Sequence, residues 1–232
     1  MNEGIKNYAI VLASGSGLRF GNKTPKQFAK IKEKTIFEHS IEVFEKCVGI
    51  DNIIVVINPD YYDYAQSIIN TNNYKKVCRL LKGGQTRQES SFIGIKAIED
   101  AEANVLIHDC ARPLLSEEII INCLNALAVH NAVAVGIPAT DTIWEVDNGG
   151  FIKSIPDRKH YKLAQTPQCF KLSLIKKAHE LASKNKNCTD DCSMVVNNKL
   201  DKIYIVGGDI NNIKITYPKD LRFAEDILSD KI

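Results

Sequence analysis

The sequence predicts an α/β fold in which a mostly parallel sheet carries helices on both faces and extends a projecting β-arm. Three observations lead there. Short apolar runs alternate with longer amphipathic ones, the pattern of successive strand–helix units. That rhythm breaks once, between Pro138 and about Tyr161, where the turn Asp147-Asn148-Gly149-Gly150 separates two extended segments with no helical period. The 232 residues, 44% hydrophobic and 25% charged, suffice for one large core that needs neither disulfide nor metal to hold it. Residues 1–232 are therefore expected to form a single domain, with the arm at about 138–161.

The elements follow in order. Tyr8–Leu12 (YAIVL) reads as a first buried strand, ending in the loop Ala13–Gly21. Thr35–Cys47 sets Ile36, Phe37, Ser40, Ile41 and Phe44 at helical spacing. Asn52–Ile57 is a second strand stopped by Asn58-Pro59, and Tyr61–Ile69 a second helix. Lys76–Leu81 is a short strand running into Gly83-Gly84; Arg87–Glu99 is helical. Asn104–His108 is a strand whose end meets Asp109, followed by a helix over Glu117–His130 and a strand over Ala132–Ile137. After the arm come helices at Leu172–Lys184 and Thr189–Val196, a strand at Lys202–Val206 and a helix at Pro218–Leu228. Gln165-Thr166-Pro167-Gln168 is expected to shape the chain returning from the arm, Thr189-Asp190-Asp191 to cap a helix, and Lys214 to sit in a strand-like Asn-Ile-Lys-Ile-Thr.

Composition removes several classes of function. Thirty basic residues against 28 acidic leave a net charge of +2, too balanced to attract a nucleic acid by bulk electrostatics. No apolar run approaches the roughly 18–20 residues of a membrane span, and Tyr8–Ala13 is too short for a signal-peptide core, so a cytoplasmic setting is expected. Seven cysteines without paired spacing are expected as reduced thiols, and Cys188 and Cys192 lack the further ligands of a zinc site.

Chemistry concentrates after the first strand. Small residues in Ala13-Ser14-Gly15-Ser16-Gly17-Leu18-Arg19 let backbone N–H groups approach a phosphate, and Arg19 adds a planar cationic fork. No Gly-Lys-Ser/Thr follows, and Gly15, Gly17 and Gly21 are spaced one residue too long for a dinucleotide fingerprint. Pro25-Lys26-Gln27 then sets a second cation on a proline-stiffened turn, which makes a two-pronged triphosphate clamp.

Further blocks follow in order: Gly83-Gly84-Gln85-Thr86-Arg87-Gln88-Glu89-Ser90, His108-Asp109-Cys110-Ala111-Arg112-Pro113, Asp141-Thr142-Ile143, Asp157-Arg158 and Asn212-Ile213-Lys214-Ile215-Thr216. Together with the first loop they resemble the cytidylyltransferase branch of the sugar-nucleotidyltransferases, over about two hundred residues. The resemblance is shared by methylerythritol-phosphate cytidylyltransferases and by ribitol-5-phosphate cytidylyltransferases of teichoic acid and capsule synthesis. It implies a Rossmann-like sheet, CTP and a polyol phosphate as substrates, Mg2+ as divalent cation, and a homodimer formed through the arm.

What the resemblance implies residue by residue is as follows. Arg19, Lys26 and Lys214 would be the catalytic cations around the α-phosphorus. Ala13, Ser14, Gly15, Gly17, Gly83, Gly84, Ser90, Asp109 and Cys110 would bind the nucleotide, with Gly83, Gly84 and the Ser90 hydroxyl reading cytosine. Asp109 would also stand near the metal. Arg112, Thr142 and Arg158 would bind the acceptor, the last two from the neighbouring subunit's arm. His108 reads as a packed, hydrogen-bonded histidine with no chemical task. The acceptor stays open between methylerythritol phosphate, the first expectation, and ribitol phosphate; a nucleotide-binding module without catalysis is a remoter reading. A nicotinamide dehydrogenase would need an acidic residue closing the second strand, which instead ends Ile57-Asn58-Pro59.

Overall fold

A computed structural model of the chain describes residues 4–15, 20, 25–182 and 188–229. The first strand, β1, spans Lys6–Ala13, and a small hairpin of β2 (Lys30–Ile31) and β3 (Lys34–Thr35) precedes α1 (Ile36–Lys46). Then come β4 (Asn52–Ile57), α2 (Tyr62–Asn72), β5 (Val77–Lys82), α3 (Arg87–Lys96), β6 (Ala103–Asp109), α4 (Glu117–Leu127) and β7 (Ala132–Pro138). The arm carries β8 (Glu145–Val146) and β9 (Ile152–Ser154); β10 (Lys162–Lys171), α5 (Leu172–Ala182), α6 (Asp191–Asn197), β11 (Tyr204–Gly207) and α7 (Lys219–Ser229) complete the chain.

Seven strands form one sheet in the order β11-β7-β10-β6-β1-β4-β5. Every neighbouring pair is parallel except those made by β10, which runs antiparallel to both β6 and β7. Alternate residues of the central strands point to opposite faces, so one buried set cannot serve both layers. Ala9, Val11, Ile53, Val55 and Leu106 pack under α1, α2, α4 and α7, whereas Ile10, Ile54, Val56, Val105 and Ile107 pack under α3, α5 and α6. The chain winds from β1 outward through β4 to β5, then crosses to β6 on the other side of β1. Ligands of open α/β sheets bind at such a reversal, beyond the carboxyl ends of the strands.

Local chemistry fixes the ends. At α1, Glu38 N–H donates to Thr35 Oγ1 at 3.1 Å and Thr35 N–H to Glu38 Oε2 at 2.8 Å, which satisfies two otherwise unpaired amides. At α6, Asp190 accepts from Ser193 N–H at 2.8 Å, the cap expected of Thr189-Asp190-Asp191.

Residues expected to shape the chain returning from the arm do so as part of a strand, and one expectation, for Lys214, changes. Residues 165–168 lie inside the ten-residue strand β10, at the sheet centre. Pro167 lacks a ladder donor and argues against a central strand, but the register slips between Gln165 and Gln168, so the proline falls at the irregularity. Lys214 is not in a strand: among the described residues its segment is tied to a distant stretch by the backbone bond Ile215 N–H to Ala111 O at 2.8 Å and joins no ladder.

Candidate active site

The carboxyl ends of β1, β4, β5 and β6 open onto a cleft of about 820 Å³, inside the roughly 300–1,000 Å³ usual for small-molecule sites. Ala13, Ser14 and Gly15 line it from β1, Gly83 and Gly84 from the turn after β5, and Asp109 and Cys110 from the end of β6. Lys26 and Lys214 reach it from opposite directions in sequence. Arg19 and Gly17 lie outside the described residues.

Each cation is aimed by buried neighbours. Lys26 starts a 3-10 turn, Lys26–Phe28, whose Gln27 is buried and donates Nε2–H to Ala13 O at 3.1 Å. Phe28 packs against Phe37, Tyr61 and Tyr64, with ring centroids 5.8, 5.6 and 4.8 Å apart. With two of its three residues anchored, the turn leaves Lys26 toward the cleft, where Nζ donates to Ile215 O at 3.2 Å. Lys214 precedes the fully buried Ile215 and pairs with Asp109 Oδ2 at 2.6 Å.

Asp109 is the electrostatic hub. Its other oxygen accepts from Arg87 Nε at 3.0 Å. Burial alone would push its carboxyl upward, but Arg87 and then Lys214 outweigh that and hold it well below the usual carboxylate range. Beneath it His108 is buried and neutral: its Nε2 faces Arg112 O at 3.0 Å and its Nδ1 faces Thr166 Oγ1 at 3.0 Å. A carbonyl only accepts, so Nε2 carries the proton and Nδ1 accepts from Thr166, whose oxygen in turn accepts from Asp109 N–H at 3.1 Å. Burial lowers the His108 pKa to about 4. Cys110 is buried and its thiol is pushed up to about 12 by burial, so it enters the cleft wall as an uncharged group.

The glycine turn is sterically forced. A Cβ on Gly83 would lie 2.5 Å from Ser14 Cβ, and one on Gly84 would lie 2.5 Å from Glu89 Cβ. Gly83→Ala is expected to push the β1 loop out of place and weaken nucleotide binding about tenfold, within the roughly 1–3 kcal/mol of an overpacked site. Titration with CTP at unchanged circular dichroism measures it, and wild-type affinity would show that the two loops need not touch.

Several expected ligands do not line this chain's own cleft. Ser90 is fully buried with its hydroxyl committed: it accepts from Ser14 Oγ at 2.8 Å and Gly84 N–H at 3.2 Å and donates to Thr86 O at 2.9 Å. It braces the glycine turn from behind. Arg112 is not brought to the cleft; its guanidinium donates to Asn212 O at 2.7 Å and Ala164 O at 3.2 Å, which ties the Lys214 segment to β10. Thr142 and Arg158 are exposed on the arm, apart from this chain's own cleft, with Arg158 donating to Thr140 O. Conversely, Asn58, Asp60, Gln85, Thr86 and Arg87 line the cleft without having been expected there. Asn58 and Asp60 follow directly on the second strand, a position that the carboxyl-edge rule marks in any open α/β sheet.

Comparison with known proteins agrees with this arrangement. Residues 8–230 match the family model described as IspD: 2-C-methyl-D-erythritol 4-phosphate cytidylyltransferase. A 2-C-methyl-D-erythritol 4-phosphate cytidylyltransferase of Clostridioides difficile is 40% identical over 221 residues, 95% of this chain and 92% of that enzyme. A bifunctional ribulose 5-phosphate reductase/CDP-ribitol pyrophosphorylase of Haemophilus influenzae is 40% identical over 231 residues, 97% of this chain, but the chain spans 49% of that protein's length. Among solved structures, 4-diphosphocytidyl-2C-methyl-D-erythritol synthase from Anaerococcus prevotii superposes with a TM-score of 0.87 at 31% identity, covering 98% of this chain and 97% of its own. The fold, the cleft at the sheet reversal and these matches over nearly the whole length lead to one conclusion: the chain belongs to the IspD family of 2-C-methyl-D-erythritol 4-phosphate cytidylyltransferases, which are nucleotidyltransferases.

Proposed function

We propose that this chain, as one domain with an arm, transfers CMP from CTP to 2-C-methyl-D-erythritol 4-phosphate with release of pyrophosphate. The observation that carries the reading is the convergence of Lys26, Arg87 and Lys214 on one cleft beside a glycine turn too tight for any side chain. A phosphate monoester oxygen is already a nucleophile, and pyrophosphate is a good leaving group, so the reaction asks for no general base. Its difficulty is repulsion between two polyanions, and fixed cations converging on the cleft relieve it. Lys26 and Lys214 act as catalytic cations here, together with Arg19; Ala13, Ser14, Gly15, Gly83, Gly84 and Cys110 line the nucleotide end.

Magnesium fits this cleft as part of the nucleotide complex. Among the described residues no group of three or more His, Cys, Asp or Glu side chains is assembled to hold an ion alone, and Mg2+ characteristically binds through one or two carboxylates plus substrate phosphates. Asp109 is the residue that would hold it, and the ion supplies charge neutralisation at the triphosphate.

A homodimer is the proposed assembly. Trp144, Phe151 and Ile155 on the arm are 60%, 74% and 61% exposed, and a second copy packed against the arm would remove that apolar surface from water. A second copy covering it would bring Thr142 and Arg158 to the neighbour's acceptor pocket. Arg158→Ala is then expected to raise the acceptor KM about tenfold or more at nearly constant CTP affinity, because a guanidinium fork on the acceptor phosphate is lost; an unchanged acceptor KM would refute it. No helix among the described residues is long and apolar enough to cross a membrane, which supports the cytoplasm as the proposed setting.

The relative from Haemophilus influenzae supports a second reading, ribitol 5-phosphate as acceptor. Pyrophosphate release from CTP and magnesium with each polyol phosphate in turn decides between them, and release with neither removes the transferase reading.

A further inference from the structure

Arg87 is the point at which a buried polar chain reaches the cleft. Its guanidinium lies between two carboxylates, Nε donating to Asp109 Oδ1 at 3.0 Å and Nη1 to Asp191 Oδ2 at 2.6 Å. Asp191 is fully buried at the start of α6, and its second oxygen accepts from Ser91 Oγ at 2.6 Å and faces His179 Nε2 at 3.0 Å. His179 is itself buried and stacked on Phe92, with ring centroids 5.1 Å apart and planes 8° off parallel. Side-chain exposure runs from 0% at Asp191 and 1% at His179 to 29% at Arg87. Burial pushes the Asp191 carboxyl upward, but the His179 hydrogen bond and then the Arg87 charge hold it below the usual range, so the carboxylate stays ionised.

A contact that merely joined α3, α5 and α6 would not need to be ionic. Apolar side chains of the same volume hold helices together without the several kcal/mol that a buried carboxylate costs in desolvation. What the ion pair adds is orientation. Held at two different nitrogens, the planar guanidinium cannot swing, and these two bonds use two of its five N–H donors. The remainder belong to a residue that lines the cleft beside Lys214's partner Asp109.

We propose that Arg87 is a binding residue for the triphosphate of CTP and that Asp191, braced by Ser91 and His179, is its positioning residue. The proposal rests on the cytidylyltransferase reading for the identity of the anion. It makes a counterintuitive demand. Asp191→Asn leaves the neighbourhood one charge more positive, so a purely electrostatic role for the cluster requires the variant to bind CTP more tightly. Positioning requires it to bind CTP less tightly, since the guanidinium loses the anchor that sets its plane.

The experiment is calorimetric titration of the full chain with CTP and magnesium, each variant held below its unfolding temperature. Asp191→Asn and Arg87→Lys are each expected to weaken CTP about tenfold, and the double variant no more than about twofold beyond either, because both substitutions disable one device. Unchanged or tighter binding in either single variant, or losses that multiply in the double, overturns the proposal. Should Asp191→Asn fail to fold, Arg87→Lys decides alone, since it keeps the charge and removes only the fork. Pyrophosphate release by the wild type is scored separately. A wild type that binds CTP yet transfers nothing to any polyol phosphate removes the transferase reading, while the affinities still judge Arg87 and Asp191.

Discussion

Lys26→Ala is expected to lower turnover about 10²–10³-fold while CTP still binds, the usual cost of removing one preorganised donor at developing transition-state charge. The expectation follows from how the residue is held. Gln27 is tied to the end of β1 and Phe28 is locked among three aromatic rings, so the turn offers Lys26 to the cleft with little freedom. Its Nζ meets the carbonyl of Ile215, the residue after Lys214, so the two lysines work on one region from opposite ends of the sequence. Steady-state pyrophosphate release gives kcat, and a CTP titration of the same variant gives affinity. A kcat within a fewfold of wild type would take Lys26 off the catalytic list; a parallel collapse of CTP affinity would make it a ground-state ligand instead.

The second large effect is on stability. His108 is neutral and fully buried with a pKa of about 4, against about 6.5 in an unfolded chain. Between those values the unfolded state takes up a proton that the folded state refuses, so this group's contribution is complete above pH about 6.5 and is lost progressively down to pH about 4. Its size is about 3 kcal/mol at about 1.4 kcal/mol per pKa unit. Asp109 and Asp191 are held below the usual carboxylate range, so their contributions fail only below pH about 4, the unfolded carboxylate value. Denaturant unfolding at pH 7 and at pH 4.5 is the measurement. The wild type should lose most of this increment, and His108→Gln should show a flatter dependence; equal slopes would mean that His108 does not carry the loss. Protonation at Nδ1 also sets two donors against each other at Thr166, whose oxygen holds the backbone of Asp109, so activity of the folded enzyme should decline only as the pH falls through about 4.

Much of this was legible in the chain. Strongly apolar runs such as Asn52–Ile57 and the periodic α1 came out where the pattern put them, because burial on both faces or on one stripe is a local property of composition. The strand β10 was hidden: Gln165, Thr166, Pro167 and Gln168 are polar or lack a donor, and only partners on both sides turn them into sheet. Lys214 alternates like a strand yet folds against a loop, since alternation records which side chains are buried and not what buries them. The glycine loop and its cations were visible as motifs. Ser90 and Arg112 carry chemistry in their side chains, but whether a hydroxyl or guanidinium faces a substrate or a carbonyl is a tertiary fact. Arg87 and Asp191 are 104 residues apart, and nothing local in either segment announces the other.

One rung of the sheet has a wider consequence. Pro138 and Lys162 face each other across β7 and β10, and Ala139 N–H donates to Tyr161 O at 3.2 Å, so the arm departs and re-enters at the same place. Everything between those residues is an excursion that transmits no register to the strands. Insertions, deletions or exchange there are expected to leave the register of the sheet intact, and the nucleotide end of the cleft, built on β1, β4 and β5, lies on the far side of β6. On the proposed reading of the arm as the acceptor side, a change of polyol preference there would leave untouched the strands that present the pyrimidine triphosphate site.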